Sequence, residues 1–155
     1  MNDNIIKIIE ELDKKAPHST LAYFAPDSSD EDHYYEICNY YLNSSKEERY
    51  FMRSRLKNMK GITNNLLGYA LLCVESLIET KDIKWLKIGL CSTILAEENM
   101  DYRDVLMVRA ELYVTAEEFQ INPDPVFNEL GVKNFGNSRI VEERRDGVWT
   151  MIRQK

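Results

Sequence analysis

Apolar residues recur along most of this chain at the three- and four-residue steps of a helix, and only near the C-terminus does the pattern change. Over residues 3 to 15, Ile5, Ile6, Ile9 and Leu12 fall on one side, which predicts an amphipathic helix ending at Pro17. A polar loop with scattered aromatics follows, "HSTLAYFAPDSSDED". Ser28 to Asp30 then cap a second helix carrying Tyr34, Ile37, Cys38, Tyr41 and Leu42 at helical spacing. Ser45 and Glu48 have the spacing of a capping box at the head of a third helix. That helix runs through "ERYFMRSRLKNM" and is expected to stop at Gly61 as its C′ glycine.

The fourth helix, about 62 to 80, is apolar around most of its circumference, with Asn64, Gly68, Glu75 and Glu79 as its polar stripe. Such a helix must be covered on several sides, so it is expected at the centre. The fifth, from Asp82 to about Glu98, carries Ile83, Leu86, Leu90 and Ile94 on one side and Trp85, Ile88 and Leu95 towards another. A very short turn at Asn99 and Met100 makes the sixth helix its antiparallel neighbour. "NPDPVFNELG" gives a short seventh helix with Pro125 near its first position and Gly131 as its stop. In "RIVEERRDGVWTMIR", Asp146-Gly147 separates two segments rich in β-branched and apolar residues, the pattern of a β-hairpin over about 139–153. The expected fold is mainly α, with six or seven antiparallel helices in a bundle or a HEAT-like stack of helical hairpins, closed by a short C-terminal hairpin. No low-complexity tract or change of composition divides residues 1–155, so one domain is expected.

Composition narrows the function classes. The chain has 155 residues, 30% of them charged, with a net charge of −6, which disfavours a general nucleic-acid binder. The N-terminus mixes acids into its apolar positions and reads as no export signal. The apolar run at 66 to 74 is too short to span a bilayer. Cys38, Cys73 and Cys91 show no CxxC spacing and suit reduced thiols of a cytoplasmic protein. There is no Gly-rich phosphate loop, no GxSxG, no zinc spacing, and neither histidine sits beside a candidate nucleophile. The chain is therefore read as not an enzyme, with no cofactor and no metal; its oligomeric state is left open.

Four places could carry binding. Arg109 sits inside the apolar stripe of the sixth helix, with Val105, Leu112, Tyr113 and Ala116 around it. A buried arginine needs a carboxylate, and Glu75 on the central helix is the partner expected if the helices stack in sequence order. The alternatives are an arginine that snorkels to solvent, or an anchor for an anion between helices. The junction "EENMDYRD" gathers Glu97, Glu98, Asp101 and Asp104 around one turn. Asp101 as N-cap and Asp104 in the first turn suit a helix start, but Glu97 and Glu98 lie at a helix C-terminus, where the dipole opposes them. Tyr34 and Tyr35, with Tyr40 and Tyr41, give the second helix a tyrosine-rich face suited to core packing or to an interface, behind an acidic patch with His33. Arg49, Arg53, Lys57 and Lys60 form a basic stripe on the third helix, most simply a solvated face.

"MDYRDVLMVRAELYVTAEEFQINPDPVFNEL" resembles a group of uncharacterised bacterial all-helical proteins, through Asp101, Arg103 and Asp104, then Leu112-Tyr113, Ala116, Pro123 and Phe127. The resemblance covers the second half of the chain and implies a helical fold and a bacterial origin, with no activity attached. It implies an apolar residue where Arg109 stands.

The expected function is a non-catalytic protein-interaction module of adaptor, regulator or toxin-neutralising type, with Glu97, Glu98, Asp101, Asp104, Tyr34 and Tyr35 as its partner-binding residues. The alternatives are a nucleic-acid-associated regulator using residues 49 to 60, or binding of a small anion near Arg109. The expected partner is another protein, with nucleic acid disfavoured and no membrane.

Overall fold

The computed structural model describes residues 2–16, 23–132, 140–145 and 148–153, the last two stretches as backbone only. Asp146 and Gly147, the turn of the expected hairpin, lie outside them; the fold is mainly helical. Among the described residues there are seven helices: α1 (Asp3–Lys15), α2 (Glu31–Leu42), α3 (Lys46–Leu56), α4 (Lys60–Thr80), α5 (Ile83–Ala96), α6 (Tyr102–Glu118) and α7 (Asp124–Glu129). A 3-10 turn over Ser28–Asp30 leads into α2. Pro17, expected to end α1, lies outside the described residues; the helix closes at Ala16, whose N–H donates to the Leu12 carbonyl.

Most helix starts follow their own cap residues. Asn2, Ser45, Asp82 and Asp101 each accept a backbone N–H of the turn they open. The capping box of α3 forms on one side only, because the Glu48 carboxylate accepts the Tyr40 hydroxyl at 2.7 Å. Helix α4 has no side-chain cap of its own. Asp13 of α1 supplies one across the bundle, its Oδ1 accepting the Ile62 N–H at 3.0 Å. Gly61 is therefore not the C′ residue of α3 that its position suggested. It lies buried in the first turn of α4, while α3 ends at Leu56 through a tight turn at Lys57 and Asn58.

Helix α4 is the centre of the bundle. It packs most extensively on α5 and is also covered by α1, α2, α3 and α6. A repeat stack touches mainly its nearest neighbours, whereas α4 is shared by elements far apart in the chain. By length and composition this helix could cross a membrane, which counting only residues 66 to 74 concealed. Most of its residues are buried against the other helices, as a core helix requires.

The polar stripe of α4 divides. Glu75 and Glu79 face solvent, whereas Asn64 is fully buried and Gly68 is covered. The extended stretch 23–27, joining the α1 region to α2, lies over these two residues, one turn apart. Asn64 Oδ1 accepts the Phe24 N–H at 2.8 Å. At Gly68 the strap comes so close that a Cβ would sit 2.0 Å from the Phe24 carbonyl oxygen. The polar positions of the upper stripe thus form a seat for backbone.

The three cysteines are buried free thiols on α2, α4 and α5. Burial pushes the Cys73 and Cys91 thiols up from their ordinary range, and burial likewise raises Tyr34 and Tyr69, whose rings stack at 5.6 Å. The folded chain thus holds these groups neutral, while the unfolded chain ionises them from about pH 8.5 for Cys and about 10 for Tyr. Above those values the unfolded state binds fewer protons, so stability is full below about pH 8.5 and falls as pH rises. The urea midpoint should be lower at pH 10 than at pH 7, and a thiol reagent at pH 7 should label the cysteines only after unfolding; rapid labelling of the folded chain would contradict the packing.

Candidate functional site

Arg109 is buried, but Glu75 is not its partner. Glu75 is exposed on α4, and the carboxylate that meets Arg109 comes from the C-terminal end of α5. Nη2 of Arg109 donates to Glu97 Oε2 at 2.8 Å, and Nε donates to Thr93 Oγ1 at 3.0 Å. The Thr93 hydroxyl donates onward to the Leu90 carbonyl at 2.7 Å, which turns its lone pairs towards the arginine. The pair is unequal in depth: the Arg109 side chain is 4% accessible and that of Glu97 43%.

This joins two places that the sequence kept apart. Glu97, opposed by the dipole of its own helix, is compensated by an arginine from the next one. Asp101 caps α6 through the Arg103 N–H, and that bond, with the Arg103 guanidinium, holds its carboxyl below the ordinary carboxylate range. Asp104 lies in the first turn of α6, half-buried. Asn99 donates its amide to the Leu56 carbonyl, tying the turn to the end of α3. Glu98 remains, partly buried, with no hydrogen bond or ion pair among the described residues.

Around this corner lies a pocket of about 500 Å³. Arg109 is its deepest charge; Glu97, Glu98, Tyr102 and Arg53 border it, and Ile94, Leu106, Leu130 and Val132 supply apolar wall. A concave site with apolar walls and a few convergent polar groups is the usual form of a ligand pocket. Tyr102 is 48% exposed at its edge. Sequence spacing does not place Arg53 or the residues following α7 beside Arg109, because they come from α3 and from beyond α7, far from it on either side in the chain.

The tyrosine face of α2 also divides. Tyr34 is 1% exposed, so it is a core residue and cannot present itself to a partner as expected. Tyr35 stays half-buried, edge-on to Trp85 at 5.8 Å, with the Lys84 ammonium 4.9 Å from the Trp85 ring centre. Tyr40 and Tyr41 bond inward, to Glu48 and Arg53. His33 faces Glu36 at 3.9 Å, both about half-exposed, which is an ordinary surface pair.

The basic stripe of residues 49 to 60 divides between two arginines that bond within the fold and two exposed lysines. Arg49 donates to the Tyr41 and Leu42 carbonyls at 2.9 and 2.8 Å, closing the C-terminus of α2, and stacks over the Tyr41 ring. Arg53 donates to the Tyr41 hydroxyl at 2.7 Å, and Arg55 pairs with Glu10 of α1. Lys57 and Lys60 remain exposed.

No family model matches this chain, and no curated protein or solved structure matches it either. The functional reading accordingly rests on these residues.

Proposed function

We propose that the chain is a non-catalytic binding module that recognises another protein through the α5–α6 corner. The observation that carries this reading is the pocket itself, bordered by a glutamate and a tyrosine that the fold does not use. Glu98 and Tyr102 make no hydrogen bond or ion pair among the described residues, yet both border a cavity of about 500 Å³. An exposed tyrosine beside partly desolvated charges is the composition of a contact surface.

The test uses the double variant Glu98→Lys with Tyr102→Ala, which leaves the caps and the Arg109 pair in place. A partner retained from a native-host lysate by the unaltered chain should be retained at least tenfold less by the variant, at unchanged thermal stability. Equal retention by the two proteins would overturn the reading.

A second reading, binding of a small anion at Arg109, is favoured by the Nη1 group of that arginine, which has no partner among the described residues. Nucleic-acid binding is disfavoured by the internal bonds of Arg49, Arg53 and Arg55. The full chain should accordingly pass an anionic column at moderate salt without retention.

We further propose that residues 139–153 close as a β-hairpin about Asp146-Gly147. A two-residue type I′ turn needs positive φ at both central residues, so Gly147→Val should abolish the cross-strand nuclear Overhauser contacts of that segment.

A further inference from the structure

Arg109 turns an unused edge towards the pocket. A guanidinium carries five N–H donors in one plane. Nε is bonded to Thr93 and Nη2 to Glu97, while Nη1 has no hydrogen bond among the described residues. The side chain as a whole is 4% accessible. Nη1 is not sealed from solvent; it is the edge of the guanidinium open to the pocket, and an acceptor in the pocket would meet it there. Arg53, on the same pocket, has donors beyond the one that Tyr41 accepts.

The charges are ordered by depth. The arginine is at the bottom, while Glu97 is nearly half-exposed and Glu98 is partly buried at the pocket's border. Among the described residues of the lining, two arginines, Arg53 and Arg109, face two glutamates, Glu97 and Glu98. A bare polyanion would be attracted by the arginines and repelled by the glutamates. A simple cation would be held at the mouth and repelled below. The arrangement is complementary to a molecule with a carboxylate at its tip, an apolar group beside it and a positive charge a few bonds behind. A planar carboxylate also matches the fork of a guanidinium better than any other common anion except phosphate.

We propose that this pocket takes the free C-terminal carboxylate of a peptide chain whose last residue is apolar and whose preceding residue is basic. The carboxylate meets Nη1 of Arg109 and the free donors of Arg53. The last side chain lies against Ile94, Leu106 and Val132, and the basic side chain reaches Glu98 at the pocket's border. The inference rests on the protein-binding reading of the same corner. It adds the part of the partner that enters, a chain terminus, which is an established mode of peptide capture. The cavity is of a size that holds more than one small residue.

The experiment is a two-dimensional NMR titration of the full chain with three probes: acetyl-Lys-Leu with a free carboxylate, the same peptide as its carboxamide, and free leucine. The carboxylate peptide should shift the amides of Thr93, Glu97, Arg109 and Val132 saturably, and the other two should bind at least tenfold more weakly. Arg109→Lys, which keeps the positive charge opposite Glu97 but loses the fork, should erase the difference between carboxylate and carboxamide. Glu98→Gln should weaken the carboxylate peptide several-fold without touching the fold. Equal binding of carboxylate and carboxamide, leucine binding as tightly as the peptide, or no shift with any of the three would overturn the proposal. If all three probes fail while the Glu98→Lys, Tyr102→Ala variant still loses its protein partner, the terminus is wrong and the protein-binding reading stands.

Discussion

Replacing Gly68 by alanine is expected to destabilise the chain by about 3 kcal/mol, although the same change in an exposed helix would stabilise it by about 0.5–1. The sign is decided by the strap over α4. An added Cβ would lie 2.0 Å from the Phe24 carbonyl oxygen, 2.3 Å from its carbon and 2.6 Å from the Ala25 nitrogen. All three are backbone atoms, so no rotamer change relieves the contact. Helix α4 is held by neighbours on several sides and cannot retreat; the strap must lift. Lifting it removes the Phe24 N–H from Asn64, worth about 1 kcal/mol net. It also uncovers part of the core beside Tyr34. For a chain of this size each kcal/mol lowers Tm by roughly 2–4 °C, so the melting temperature should fall by about 6–12 °C. A rise in Tm would mean that nothing lies over Gly68.

This seat leaves no mark in the periodicity of α4. Asn64, Gly68, Glu75 and Glu79 share one face of α4, and periodicity assigns a polar face to water. Periodicity cannot distinguish water from a strap of main chain, because both are satisfied by polar or absent side chains. The helices themselves were legible because their signals are local: a cap residue, an apolar spacing, a glycine or proline at an end. Asp82 and Asp101 begin α5 and α6 where their side chains predict. Gly61 misled for the same reason that α4 lacks a cap of its own. Its N-terminus is closed by Asp13, from forty-nine residues away in sequence, and no local pattern reports that.

The candidate site was legible in its ingredients and illegible in its pairing. Two acids at the end of α5, against the dipole, signalled that a cation was required, and a lone arginine on an apolar face signalled that an anion was. Matching them needed the rotation of α6 on α5, which side-chain packing sets. Stacking the helices in sequence order pointed to Glu75 on α4, whereas the acids sat one short turn away from Arg109 in the adjoining helix. Tyr34 and Tyr35 show the same limit at one residue's resolution. Adjacent tyrosines a hundred degrees apart on α2 have opposite fates, one stacked on Tyr69 in the core and one half-buried beside Trp85.

The depth difference between Arg109 and Glu97 makes their separate removal unequal. Glu97→Ala leaves a guanidinium buried with only the Thr93 hydroxyl to accept from it, and should cost about 2–3 kcal/mol. This is below the range for a fully buried pair, because the carboxylate is nearly half-exposed and its attraction is screened by water. Arg109→Leu returns Glu97 to solvent and replaces the stem of the arginine with apolar volume, so it should cost about 1 kcal/mol or less. The two substitutions together leave no buried charge and should come within about 1 kcal/mol of the unaltered chain. The cycle thus predicts strong non-additivity, with the double variant more stable than Glu97→Ala alone. Urea unfolding of the four proteins measures it. Equal single costs that simply add would show that water in the pocket, rather than Glu97, compensates the arginine. If the predicted inequality holds, Arg109→Leu is also the decisive reagent for function. A chain that keeps nearly all its stability yet no longer binds its partner would assign the buried charge to recognition, because an apolar residue would serve packing there equally well.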